Sequence, residues 1–286
     1  MSGFTFAFLA MLFFGVGDSL FAIPSRKYRE LPILFWQYFF IASVLSIVLI
    51  LSGVQIGNWL KWEILFPITG GVFEVLGVMF LMKSLKKESL GLSIAIASAY
   101  PLVATGYSYI FLGEKLQMVQ LMLILIIIGG LFIVSLNSFN IKRMRINNNL
   151  KFAFLAFLSW GGLTIMQKHA SFYYTSLDVT IIMGLAGFIS VILWLVAVSR
   201  FRNKILIDRQ NLFIIFMIAL LLSGAMLFMN LAFHNIQAGV ASAIVGSSAI
   251  ITNLIGLFIY KERLLRHQYV GIIFIIGALF CLSYFN

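Results

Sequence analysis

The second half of this chain repeats the first half within an almost wholly apolar sequence. The stretch from Gly91 to Ser135 reappears about 148 residues later, from Gly239 to Ser283. The matched identities are Gly91/Gly239, Ala95/Ala243, Ile96/Ile244, Glu114/Glu262, Leu116/Leu264, Gln120/Gln268, Ile124/Ile272, Ile127/Ile275, Ile128/Ile276, Gly129/Gly277, Leu131/Leu279, Phe132/Phe280 and Ser135/Ser283. Internal repeats of apolar helices are the usual build of secondary transporters. The repeat therefore predicts a membrane protein made of two related halves.

The composition places the chain in a lipid bilayer. Hydrophobic residues make up 62% of its 286 residues and charged residues 10%, against about 25% charged in soluble domains. The net charge of +11 does not indicate a nucleic-acid partner, because nearly all charges lie in short gaps between apolar runs. That pattern is typical of a polytopic membrane protein.

Ten apolar runs are long enough to cross the hydrocarbon core, which needs about 20 residues. They span residues 4–23, 33–52, 63–82, 91–112, 117–137, 151–169, 178–199, 211–231, 239–260 and 267–285. The longest gap separates a first repeat (1–137) from a second (151–286) through a linker (138–150). Because five helices per half is an odd number, the halves enter the membrane from opposite faces. The predicted fold is an all-α membrane protein with ten transmembrane helices in two inverted five-helix repeats.

Lysine and arginine divide unevenly between the two faces of this predicted bundle. The face that holds the first loop carries 17 of the 20, and the opposite face carries only Lys61, Lys115 and Lys168. The positive-inside rule then places the first-loop face in the cytoplasm and both termini outside. The N-terminus has no lysine or arginine before the first run, so we expect no cleaved signal peptide.

No motif for a cofactor, a metal or an enzymatic reaction is recognised. His169, His234 and His267 lack ligand spacing, no GxxxxGK[ST] motif is present, and Cys281 is the single cysteine. We therefore expect no resident metal, no ATP-driven step within the chain, and no enzyme. We expect Cys281 to be a small packing residue.

The repeated segments have a recognisable order. In the first copy a small-residue helix with a central Pro101 ends at Gly113-Glu114, and a short hairpin leads to a helix that ends at Gly129-Gly130. The second copy carries the hairpin Glu262-Arg263-Leu264 but has Ala249 where Pro101 would recur. The chain resembles the EamA-type branch of the drug/metabolite transporter superfamily over its whole length. The resemblance implies cytoplasmic termini in many members, which the charge count opposes.

Asp18 and Glu74 are the acids that lie well inside apolar runs. A charge in lipid costs at least about 2.5 kcal/mol, so such groups usually face a cavity or a partner. Counted at about 1.5 Å per residue, the two acids share one layer of the bundle. That layer suits a proton-coupled carrier or a cationic substrate. The alternative is a structural hydrogen bond or a helix-end position.

Other polar and aromatic groups extend this candidate site. The resemblance implies a cavity between the halves, with Tyr100 and Trp160 as walls and Asn230 and Asn253 as hydrogen-bonding groups; Ser98, Gln167 and Ser248 lie nearby. An interfacial or packing role is the alternative for each. Glu114 and Glu262 are expected to cap or salt-bridge their hairpins. Lys168, His169 and His234 could gate an anion, although a snorkelling helix-end position is the commoner role.

Small residues repeat every four positions on the fourth and ninth helices. They are Gly91, Ala95 and Ala99 on one helix and Gly239, Ala243 and Ser247 on the other. Small side chains let membrane helices approach closely. The spacing predicts tight helix packing, and a sliding gate is the sharper interpretation.

The predicted function is secondary transport of small organic metabolites across the plasma membrane, the inner membrane of a bacterium. The resemblance makes amino acids and related metabolites the expected class, and export the commoner direction. Protons are the candidate coupling ion, and lipid and a small-molecule substrate are the expected partners. Alternatives are a scaffold or sensor on a transporter fold, or an uncoupled facilitator or channel.

Overall fold

The computed structural model describes residues 2–25, 27–54, 56–85, 96–135, 150–197, 205–258 and 265–285. In these residues the chain forms α-helices and short 3₁₀ turns, with no β-strand. The all-α class is therefore confirmed for that part of the chain. Gly91, Ala95, Glu262 and residues 138–149 of the predicted linker lie outside the described residues.

Eleven α-helices begin and end within the described segments. They are α1 (Gly3–Ser25), α2 (Glu30–Ser52), α3 (Leu65–Leu85), α4 (Pro101–Phe111), α5 (Met118–Ser135), α6 (Leu150–Ala170), α7 (Ser176–Ala197), α8 (Arg209–Asn235), α9 (Ala238–Gly246), α10 (Ser248–Phe258) and α11 (Arg266–Tyr284). Two 3₁₀ turns, Ile56–Trp59 and Trp62–Ile64, precede α3.

Seven helical segments of the described residues are long and apolar enough to cross a membrane. They are Gly3–Ser25, Glu30–Ser52, Trp62–Ser84, Ser176–Ala197, Arg209–Asn235, Ala238–Gly256 and Arg266–Tyr284, and Met118–Val134 is a shorter apolar helix. Each of the ten predicted runs overlaps a helix of the described residues. The count of ten crossings and the inverted orientation of the halves stay predictions.

Two of the predicted runs are interrupted near their centres. In the run 91–112, Ile96 and Ala97 are helical, a turn covers 98–100, and α4 then starts at Pro101. Proline has no N–H, and its ring excludes a continuous helical hydrogen bond at this point. In the run 239–260 the break falls at Ser247, between α9 and α10. No proline lies there; instead the Ser247 hydroxyl donates to the Ala243 carbonyl at 2.9 Å, a side-chain bond that competes with helical geometry.

The sequence repeat reappears in the contacts of α5 with α11. Gln120 Nε2 donates to the Phe285 carbonyl at 3.1 Å, and its repeat partner Gln268 donates to the Val134 carbonyl at 2.7 Å. Each glutamine also accepts from the backbone N–H three residues before it. Gly130 and Gly271 meet where these helices cross, because a Cβ on Gly271 would lie 2.8 Å from the Gly130 carbonyl oxygen. Equivalent residues of the two halves thus cap each other's helices.

The other helix pairs are also matched between the halves, in which α1, α2, α3 and α4 correspond to α6, α7, α8 and α9–α10. The contact of α1 with α8 corresponds to that of α6 with α3, and the contact of α2 with α8 corresponds to that of α7 with α3. The contact of α1 with α9 and α10 corresponds to that of α6 with α4. Each helix of one half therefore contacts helices of the other half, which is what a two-fold relation between the halves would produce.

The buried apolar side chains form two clusters. The first cluster is built mainly from α1, α5, α9, α10 and α11, and the second from α2, α3, α6 and α7, while α8 contributes to both. Phe14 packs against both clusters. Asp18 lies on α1 beside the first cluster, and Glu74 lies on α3, a helix of the second cluster.

Candidate functional site

Asp18 on α1 and Glu74 on α3 lie within electrostatic range of each other. Asp18 is exposed and Glu74 is half-buried, although both occupy the interior of long apolar helices. Both carboxylates also lie within electrostatic range of the Tyr100 phenol, a buried group. The structure thus brings together the two acids that the sequence assigns to one layer.

Neither carboxylate has a hydrogen bond or an ion pair with any of the residues that the structure describes. Glu114, Asp178 and Asp208 differ from this pair, because each of them accepts hydrogen bonds. Groups of this polarity inside a membrane protein face a cavity or a partner when they serve function.

Tyr100 and Trp160 form an aromatic wall beside this pair. Their ring centroids lie 6.1 Å apart in an edge-on arrangement. Trp160 rests on Gly77, one turn along α3 from Glu74, at a distance where a Cβ on Gly77 would collide with the indole Nε1. The glycine therefore makes room for the ring next to Glu74. The predicted residues Asp18, Glu74, Tyr100 and Trp160 occupy one neighbourhood.

Tyr38 is a member of this neighbourhood that the sequence analysis missed. It is buried on α2, its ring packs where a Cβ on Gly187 would lie 2.6 Å away, and it lies within electrostatic range of Glu74. A tyrosine inside an apolar run, five residues after its start, was the signal that could have found it.

Both helix breaks border the site. Tyr100 is the last residue of the turn before α4, and its ring lies 3.6 Å from where a Cβ on Gly246, the last residue of α9, would stand. Helix α1 reaches the second break three residues before Asp18, because a Cβ on Gly15 would lie 2.8 Å from the carbonyl oxygen of Ser248, the first residue of α10. Irregular backbone in membrane helices is tolerated where it is enclosed by protein or lines a cavity.

Asn230 and Asn253 make contacts that do not include the acidic pair. Asn230 is buried, accepts from Gln167 Nε2 at 3.1 Å and donates to Thr180 Oγ1 at 2.9 Å. Asn253 donates to the Ala249 carbonyl of its own helix at 2.7 Å. In the described residues both amides are thus engaged elsewhere, and their roles as substrate ligands stay predictions.

Glu114 belongs to a buried charge cluster at one end of the bundle. Its carboxylate lies 3.0 Å from Lys168 Nζ and accepts the Ala238 N–H at 2.9 Å. Lys168 also donates to the carbonyls of Phe233 and Ile236. The chain turns just before Glu114 at Gly113, which has φ +65°, a conformation that glycine adopts without strain. Glu114 thus pairs with distant Lys168 rather than with adjacent Lys115, and its purely structural role stays a prediction.

A second ion pair lies at the opposite end, between Lys27 and Asp208. Their side chains meet at 2.7 Å, Tyr28 donates to the same carboxylate, and Asp208 caps α8 by accepting the Asn211 N–H at 2.9 Å. The hydrogen bonds from Lys27, Tyr28 and Asn211 hold the pKa of Asp208 well below its usual range. The hydrogen bond to Asp208 raises the pKa of Lys27.

The small-residue positions that the structure describes lie at helix contacts. Gly239 faces Thr105 of α4, with a Cβ position 2.7 Å from the threonine hydroxyl, and Ala243 and Ser247 are fully buried. Ala99 lies in the turn before α4. These contacts fit the packing role, and the sliding gate stays a prediction.

His169 accepts or donates a hydrogen bond with the Tyr107 hydroxyl at 2.8 Å and stacks on Phe66. No group of three or more metal-ligating side chains occurs in the described residues. His169 thus belongs to an aromatic cluster at the end of the bundle that holds Glu114.

The apolar helices and the polar interior layer define a multi-pass membrane protein. A model of the EamA-like transporter family matches residues 1–136 and, a second time, residues 149–284. The chain belongs to the EamA-like transporter family, which is part of the drug/metabolite transporter superfamily. The resemblance drawn from the hairpin motifs is therefore confirmed, and the family is one of transporters rather than of enzymes.

Comparison with solved structures shows the same fold. A crystal structure described only as "Crystal structure of protein" matches with a TM-score of 0.79 at 12% identity, over 98% of this chain and 96% of that chain. At this identity the likeness concerns the fold alone. A search of curated proteins finds no match.

Proposed function

We propose that this chain is a secondary active transporter that moves small organic metabolites across the plasma membrane by alternating access. The observation that carries the proposal is the pair of unpartnered carboxylates, Asp18 and Glu74, beside the Tyr100 ring inside the bundle. Amino acids and related metabolites are the class that the family resemblance implies, and export is the direction.

The two ends of the bundle support a site that opens to one side at a time. Glu114 and Lys168 join the α4–α5 hairpin to α6 and to the start of α9, while Lys27 and Asp208 join the α1–α2 turn to α8. The interior site lies between these two ion pairs. Inverted repeats allow one end to open as the other closes, and the breaks before α4 and between α9 and α10 supply bending points in the wall.

Proton coupling would act through the same two acids. A carboxylate that is free of internal partners can exchange its proton for a substrate contact as the site changes sides. We infer that Glu74, the less exposed of the two, carries the coupling proton, with Asp18 beside the opening.

Counterflow in proteoliposomes tests the proposal. A carrier exchanges labelled for unlabelled solute with saturation, and an imposed pH gradient drives net uptake by the wild-type protein. Glu74→Gln should keep counterflow and lose the response to the pH gradient, while Asp208→Asn serves as a control acid outside the site. Conductance without saturation would indicate a channel. If neither saturable counterflow nor conductance were observed, the scaffold or sensor alternative would be favoured.

Orientation is tested separately. We propose that both termini lie outside the cytoplasm, because the first-loop face holds 17 of the 20 lysines and arginines. A C-terminal alkaline phosphatase fusion should be active and a C-terminal green fluorescent protein fusion dark. The reverse pattern would show that the chain inserts with cytoplasmic termini.

A further inference from the structure

Lys83, near the end of α3, is surrounded by aromatic rings from three helices. Its Nζ lies 6.0 Å from the ring centroid of Phe80 on α3, 5.9 Å from that of Phe152 on α6 and 5.8 Å from that of Trp194 on α7. Phe80 and Phe152 also stack on each other at 6.4 Å. Because α3 packs against both α6 and α7, Lys83 lies where one helix of the first half meets two helices of the second.

A second lysine, Lys151, shares one of these rings. Its Nζ lies 5.4 Å from the ring centroid of Phe152, so a single ring contacts both ammonium groups. Neither Lys83 nor Lys151 makes a hydrogen bond or an ion pair with a residue that the structure describes, in contrast to Lys27 and Lys168. A ring face attracts an ammonium group but has no oxygen to accept its three N–H bonds. Both groups therefore keep donors for an acceptor that the described residues do not supply.

This lysine pair lies at the level where lipid headgroups meet the bundle. Lys151 is the second residue of α6, and Lys83 lies two residues before the end of α3. Trp194 lies three residues before the end of α7, and a tryptophan near a helix end is typical of the membrane interface. Next to it the apolar side chains of Leu193 and Val196 are 64% and 72% exposed. A charged part at headgroup depth thus adjoins an apolar surface at acyl-chain depth.

We propose that Lys83 and Lys151 bind the phosphate of an anionic phospholipid, such as phosphatidylglycerol, in the leaflet at this end of the bundle. Basic side chains between membrane helices are a typical site for such headgroups. The two ammonium groups hold the phosphate, and the exposed apolar side chains of α7 contact an acyl chain. A zwitterionic lipid fits less well, because its own cation meets two ammonium groups and the nearby rings are already covered by them.

A lipid bound here would join α3 of the first half to α6 and α7 of the second. The site lies at the end of the bundle and is separate from the interior acids, so the proposal does not depend on the transport function. Since the lipid binds the folded helices together, it should also raise the stability of the protein by mass action.

Equilibrium binding to the purified full-length protein in a neutral detergent tests the site. The probe is phosphatidylglycerol with a fluorescent label on one acyl chain. Unlabelled phosphatidylglycerol should displace it at least about fivefold better than phosphatidylcholine with the same chains. Lys83→Gln and Lys151→Gln should each weaken probe binding about fivefold, and Lys83→Arg, which keeps the charge, should retain most of it. Lys27→Gln is the matched control, because Lys27 lies at the same end of the bundle but is bound by Asp208.

Four outcomes would overturn the proposal. Equal displacement by the two lipids would show that the site does not select an anionic headgroup, and unchanged affinity in both glutamine variants would place the lipid elsewhere. An equal loss in Lys27→Gln would show that the lipid responds to the overall charge of this end. Displacement by glycerol 3-phosphate as effective as that by phosphatidylglycerol would assign the lysines to a soluble phosphate. Apparent melting temperatures without added lipid separate lost binding from lost folding.

Discussion

Glu114 and Asp208, at the two ends of this bundle, are bound by cations and hydrogen-bond donors, whereas Asp18 and Glu74 at its centre are not. Glu114 is bound by Lys168 and by the first N–H of α9, and Asp208 by Lys27, Tyr28 and Asn211. Asp18 and Glu74 have neither a cation nor a hydrogen-bond donor among the described residues. Residue type is the same in both regions, so the difference lies in the surroundings. Paired acids stabilise the fold, and unpaired interior acids impose a cost that function must justify.

The largest effect is expected when one partner of the buried end pair is removed. Lys168→Met should lower the free energy of unfolding by about 3 kcal/mol, because it leaves Glu114 enclosed without its counter-charge. Removal of both charges, in Lys168→Met with Glu114→Gln, should recover most of that loss. Thermal unfolding in detergent measures both. If Lys168→Met alone were as stable as wild type, Glu114 would be solvated by water and the ion pair would be weak.

Crowding the central site should have the next largest effect. Gly77→Ala places a methyl group against the Trp160 indole, and overpacking of this kind costs about 1–3 kcal/mol. The displaced ring should also weaken substrate binding. Gly106→Ala on α4 is the matched control, since a Cβ there meets nothing within 4 Å. Equal melting temperatures for the two variants would mean that Trp160 moves aside at no cost.

Neutralising the central acids should change stability in the opposite direction. Asp18→Asn and Glu74→Gln remove charges that have no partner, so each should leave the free energy of unfolding unchanged or raise it by about 1 kcal/mol. Uptake driven by an imposed pH gradient should fall at the same time. Unfolding measurements and pH-driven uptake on the same preparations show whether stability and activity change in opposite directions. Destabilisation by either variant would reveal a partner for that carboxylate. The difference between the central acids and the bound acids at the ends would then no longer hold.

The exposed end pair should give the smallest effect. The lowered pKa of Asp208 means that its contribution to stability is full above the unfolded value of about 3.9 and is lost as pH falls through the folded value. The raised pKa of Lys27 adds stability below its unfolded value of about 10.4, which is lost as pH rises through the folded value. Between pH 5 and 9 the contribution is therefore constant.

Melting curves of wild type and Asp208→Asn at several pH values measure this. Their difference should be small, flat between pH 5 and 9, and reduced further by salt, because the pair is open to solvent. Asparagine can still cap α8, so the variant isolates the charge. If the difference in melting temperature changed between pH 5 and 7, Asp208 would titrate near neutrality. That result would contradict the lowered pKa expected from its three hydrogen-bond donors.

Much of the architecture follows from sequence pattern alone. Apolar runs of about 20 residues determine helices in a membrane, because only hydrogen bonds within a helix satisfy the backbone there. The hairpin at Gly113-Glu114 and the glycine motif at Gly129-Gly130 indicated the family before any contact was known. Asp18 and Glu74 were found by composition, since acids are rare within such runs. Glu114 was assigned a structural role from its place in a hairpin.

Which groups meet was decided by the tertiary structure. Gln120 and Gln268 look like ordinary polar residues until α5 and α11 cross. Lys168 looked free at a helix end, yet packing of α6 against the α4–α5 hairpin places it on Glu114. Tyr38 joins the site because α2 packs across α7 at Gly187, and Asn230 leaves it because Gln167 and Thr180 reach it first. The helix break at Ser247 could not be predicted from the sequence, because no proline lies near it.

The physical reason for this division is the range of the forces. Transfer of apolar side chains into lipid and the hydrogen bonds of a helix act within a single segment, so the sequence by itself determined the class, the helices and the presence of interior acids. Pairing of charges, stacking of rings and contact between glycines act between segments. Only the folded bundle decided that Asp18 and Glu74 have no partner among the described residues while Glu114 and Asp208 are bound.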